Sequence, residues 1–82
     1  MTHDRPDLPI DRLRAALPPD HDAHARVDAL DRELQAEKPS TSAIKEHVAE
    51  LRKHAPIAAI ITNWFDDPRT QTFIDELVRI GL

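Results

Sequence analysis

The chain has 82 residues and a mass of 9.3 kDa, which is room for one domain with a thin core, because a chain of this length buries only about 60% of the surface its unfolded form exposes. It carries 11 Lys and Arg against 15 Asp and Glu, no cysteine and a single glycine, and this composition excludes disulfides, thiolate zinc sites and glycine-rich phosphate loops. A net charge of −4 repels nucleic-acid backbones unless the basic residues gather on one face, and the longest apolar stretch, Ala55 to Ile61, is far short of the roughly 20 residues of a membrane span.

No apolar run of the secretory kind stands at the start, Met1 to Asp7, so the expectation is a cytoplasmic protein without membrane or nucleic-acid partners. Abundant Ala, Arg, Asp and Pro resemble a GC-rich bacterial or archaeal coding sequence. Scarce glycine, few clustered β-branched residues and plentiful Ala, Leu, Glu and Arg predict an all-α protein: a single domain over 1–82, built as a compact bundle of four to five short helices, with 1–7 a loose N-terminal segment. Pro9 suits the first turn of a short helix running to about Leu17. Leu8, Ile10, Leu13 and Leu17 lie on one side of it, and Pro18-Pro19 stops it. Asp20 is placed to cap a second helix in which Ala23, Val27, Leu30 and Leu34 recur at steps of four, three and four.

Lys38-Pro39-Ser40-Thr41-Ser42 breaks that pattern and offers hydroxyl caps, after which Ile44, Val48, Leu51 and Ala55 repeat the same steps. Two helices with one apolar stripe each and a short linker predict a central antiparallel hairpin, Asp20 to Lys53. Ala55-Pro56 then opens a helix whose residues Ile57, Ala58, Ala59, Ile60, Ile61, Trp64 and Phe65 leave almost no polar face. Such a helix must be covered on every side, by the rest of the chain or by a partner. Trp64 and Phe65 are expected first as core anchors, and Ile57, Ile61, Trp64 and Phe65 are the candidate interface residues where a partner supplies the cover. Pro68 ends this helix and begins the next, capped by Asp66 or Asp67, and Phe73, Ile74, Leu77, Val78 and Ile80 form a broad apolar face. Gly81-Leu82 has the form of a Schellman stop, an ending expected of a native terminus.

Chemistry is sparse along this chain. His21 and His24 are three residues apart beside Asp20 and Asp22, so His21, His24 and Asp20 are the candidates if a metal binds; a metal needs a third or fourth donor from elsewhere, and the expectation is no metal and no cofactor, with Asp20 and Asp22 complementing the helix N-terminus and the histidines in solvent. Ser40 and Ser42 lie in a turn where capping explains them, and Asp66-Asp67 reads as a helix cap before it reads as an acid and base pair. A DNA-reading third helix would present Lys45, Arg52 and Lys53 against Glu46 and Glu50, a neutral face. An enzyme is therefore not expected.

The run Leu30, Glu33-Leu34, Pro39-Ser40, Ile44, Val48, Leu51-Arg52, Ala55 and Ala58-Ala59 resembles the helical accessory, effector-associated-type segments of bacterial conflict-system proteins. The ending, with His54, Pro56 and Ile80-Gly81-Leu82, is similar to short bacterial helical proteins of unknown function. The resemblance implies a death-fold-like bundle and adaptor or self-association behaviour, and it transfers no catalytic residue. The expected function is a non-catalytic protein-interaction or oligomerisation module, an adaptor that binds itself or a larger effector subunit. The alternatives are a small acidic inhibitor or antitoxin-like protein that masks a basic partner, and a His/Asp metal-binding protein.

Overall fold

The structure, a computed structural model, describes residues 7–82; of the expected loose segment 1–7, all but Asp7 lies outside the described residues. The described residues form five α-helices and no strand: α1 (Ile10–Ala16), α2 (Ala23–Gln35), α3 (Thr41–Leu51), α4 (Ala55–Asp66) and α5 (Pro68–Arg79). α3 and α4 touch each other and both touch α5, while α1 lies against α2 and α4. One apolar core runs through all five helices.

α1 has only seven residues and no side-chain cap, too short to persist alone in water. Leu8, Leu13 and Leu17 hold it by burial. Pro9 stands one position ahead of the first turn, where its carbonyl accepts the Leu13 N–H at 3.0 Å. Asp20 does not cap α2. Residues 18–21 close a turn through the His21 N–H to the Pro18 carbonyl at 3.0 Å, which delays the helix to Ala23 and leaves Asp20 too early in the chain. The Nδ1 atom of His21 accepts the Ala23 N–H instead, at 3.0 Å.

α2 and α3 share the most extensive packing in the molecule. Arg26 meets His47 and Glu33 meets Ser40; the residue numbers of the two pairs have the same sum, as antiparallel pairing requires. Ser40 caps α3, its Oγ accepting the Ala43 N–H at 3.3 Å, and Glu33 Oε2 accepts the Ser40 N–H at 3.1 Å. Ala23, Val27, Leu30 and Leu34 face Ile44, Val48 and Leu51 in the core, but Ala55 does not complete the second stripe. It is exposed and opens α4, because Pro56 cannot donate to the Arg52 carbonyl and its ring would clash there.

α4 departs from the expectation of cover on every side. Ile57, Ile61 and Trp64 form one buried stripe, with Ile60 and Phe65 half-buried beside it. The opposite side carries Ala59 and Asn63, both exposed; alanine has so little side chain that leaving it in water forfeits little burial. α5 starts at Pro68, with Asp67 Oδ1 accepting the Arg69 N–H at 2.9 Å. Only Phe73, Ile74 and Leu77 of its five apolar candidates turn inward; Val78 and Ile80 are 57% and 69% exposed. The helix ends as a Schellman motif: the Leu82 N–H reaches the Leu77 carbonyl at 2.8 Å and the Gly81 N–H the Val78 carbonyl at 3.1 Å, with Gly81 at φ +86°. The Leu82 carbonyl in turn accepts the Thr41 N–H at 2.7 Å, which ties the end of α5 to the start of α3.

Candidate functional site

Of the side chains singled out for chemistry, His21, His24, Ser40 and Asp67 are engaged with the backbone. His21 Nδ1 is engaged by the Ala23 N–H, and His24 Nε2 lies 2.7 Å from the Pro18 carbonyl, to which it donates. The His21 ring meets that of His54, the residue just ahead of α4, edge-on with centroids 4.9 Å apart. Among the described residues, no group of three or more His, Asp or Glu side chains stands where it could hold a metal ion. Ser40 and Asp67 serve as the caps described above. Arg52 reaches Asp66 at 3.9 Å and lies over the Phe65 ring at 5.2 Å from its centroid. Lys53 bonds Glu50 at 3.0 Å, and this hydrogen bond, reinforced by the ammonium charge, holds the Glu50 carboxyl below the usual glutamate range. Two of the three cations weighed for DNA contact are thus paired with carboxylates. Arg14 makes a similar exposed pair with Asp28 at 2.7 Å, which raises the guanidinium further above its ordinary value.

The expected interface residues divide. Ile57 and Ile61 have no exposed surface and Trp64 only 7%; they are the inner wall of α4 and present nothing to a partner while the chain is folded. Phe65 alone keeps an accessible side, partly roofed by Arg52.

A groove lies elsewhere, at the C-terminal end of α5. Phe73, Leu77 and Ile80 follow one another at steps of four and three, a single helical line that begins buried at Phe73 and ends in solvent at Ile80. Pro39 from the α2–α3 linker and Leu82 line the same hollow, together with the charged residues Glu37, Glu76 and Arg79. Together they enclose a groove of about 330 Å³, at the small end of ligand-pocket size and fitted to a few apolar side chains. Ile80 was expected on the broad apolar face with Phe73, Ile74, Leu77 and Val78, and it stands in solvent. Periodicity carries no signal of this exposure, because it does not state which elements come to cover a stripe.

In comparisons with known proteins the chain matches no family model, and no curated protein and no solved structure gives a significant match. Among the described residues, no helix is long and apolar enough to cross a membrane.

Proposed function

We propose that this chain is a non-catalytic protein-interaction module whose contact surface is the groove between the end of α5 and the α2–α3 linker. One observation carries the reading: Ile80, a large aliphatic side chain, is 69% exposed beside a preformed apolar hollow. Most surface aliphatics of a small domain stand alone, and a large one next to a concave apolar surface is the usual layout of a docking site. The capping and pairing roles of Ser40, Asp67, His21 and His24 support the non-catalytic part, since these side chains are already engaged with the backbone. The resemblance to accessory segments of bacterial conflict-system proteins supports an adaptor role.

The test is an NMR titration of the dilute, isotope-labelled chain with a synthetic amphipathic helix carrying leucines at i, i+3 and i+7. Binding should move the amide signals of Phe73, Leu77, Ile80 and Leu82 together. Unchanged spectra, or shifts scattered over α1 and α2, would remove the reading.

A further inference from the structure

The contact surface at the end of α5 carries, on a single patch, both halves of a contact. Ile80, 69% exposed, stands on the wall of a hollow whose size and apolar lining would receive such a side chain from a facing molecule. The charged residues of the groove are likewise mixed in sign, Glu37 on the linker with Glu76 and Arg79 on α5, and among the described residues neither Glu37 nor Arg79 has an ion-pair partner. A projection, its receptacle, an anion and a cation on one surface is the requirement for a two-fold contact, in which each residue of one subunit meets its complement on the other. A foreign partner would need only the complement.

We infer that the occupant of the groove is a second copy of this chain, docked about a two-fold axis at the end of α5, with Ile80 of each copy in the other's groove and Arg79 of each facing the other's Glu37. This rests on the reading of the groove as a contact surface and names its partner. The charge of −4 on each copy opposes association, but physiological salt screens exposed charges beyond about 8 Å, whereas facing rim charges lie inside that distance. The helix end itself is rigid enough for docking, because the Schellman bonds and the Leu82–Thr41 bond fix the residues on either side of Ile80. Little ordering is left for association to oppose.

Size-exclusion chromatography with light scattering, from micromolar to millimolar chain, tests the inference. The unaltered chain should pass from monomer to dimer across that range, and Ile80→Asp should remain monomeric. Val78→Ser, which alters an exposed aliphatic that does not line the groove, should dimerise normally. Glu37→Arg or Arg79→Glu alone should weaken the dimer roughly tenfold, and the two together should restore it. A chain that stays monomeric at millimolar concentration, a dimer that survives Ile80→Asp, or a double reversal that restores nothing would each overturn it. The peptide titration above separates the two levels: a monomer whose groove still binds the amphipathic helix loses the second copy and keeps the contact surface, whereas a monomer that binds nothing loses both.

Discussion

Trp64 shows how much a single side chain in so small a core decides. It is 7% exposed, its ring lies 6.4 Å from that of Phe65, and its Nε1 has no hydrogen-bond partner among the described residues. The indole contributes through volume and not through its polar atom. Trp64→Ala should therefore cost about 3–5 kcal/mol by opening a cavity, whereas Trp64→Phe, which keeps a ring and removes an unbonded N–H, should cost less than half of that; urea denaturation followed by circular dichroism measures both. Glu50 gives the pH counterpart. Lys53 holds its carboxyl below the usual range by a hydrogen bond and by charge, so what the pair contributes is present above the ordinary glutamate value and is lost as the pH falls through the depressed one. Lys53→Ala should return the Glu50 titration, followed by carboxyl NMR shifts, to the ordinary range. The pair is exposed, so global stability should barely respond.

The helices differ in what sustains them. α2 and α3 bury one stripe each against the other, and α3 has a full side-chain cap. α1 has seven residues and no side-chain cap, and depends on Leu13 and its two leucine neighbours. Amide hydrogen exchange should therefore show α1 opening well before the α2–α3 hairpin; equal protection in the two would contradict this ranking. At the far end of the chain, Gly81 sits at φ +86° with open space where a Cβ would be, so Gly81→Ala meets no clash and should cost only the left-handed backbone strain, about 1 kcal/mol in thermal or denaturant unfolding. Element boundaries were legible wherever one residue forces them, as Pro56, Pro68 and Gly81 do. They were not legible at Asp20, because a turn closed by His21 and Pro18 competes with the cap, and capping propensity does not reveal which local bond prevails.

At the scale of the molecule, the inside and the edge of α5 should separate cleanly. Leu77, 6% exposed, and Ile80, 69% exposed, lie on one helical line, yet Leu77→Asp should unfold the chain while Ile80→Asp should leave its melting temperature, measured on the dilute monomer, unchanged. The periodicity of Ala23 to Leu34 and of Ile44 to Leu51 was enough to specify two amphipathic helices and their pairing, since each stripe has one way to leave water and a short linker brings it to the other. Prolines and the lone glycine similarly specified where α4 and α5 begin and where α5 ends. Hydrophobic patterning states which residues avoid water, and it is silent on how many neighbours exist to cover them. Only the assembled bundle decided that Ile57, Ile61 and Trp64 go inside, that the alanine side of α4 stays wet, and that the stripe of α5 runs past its cover at Ile80, because burial depends on where α1, α3 and the α2–α3 linker come to rest in space.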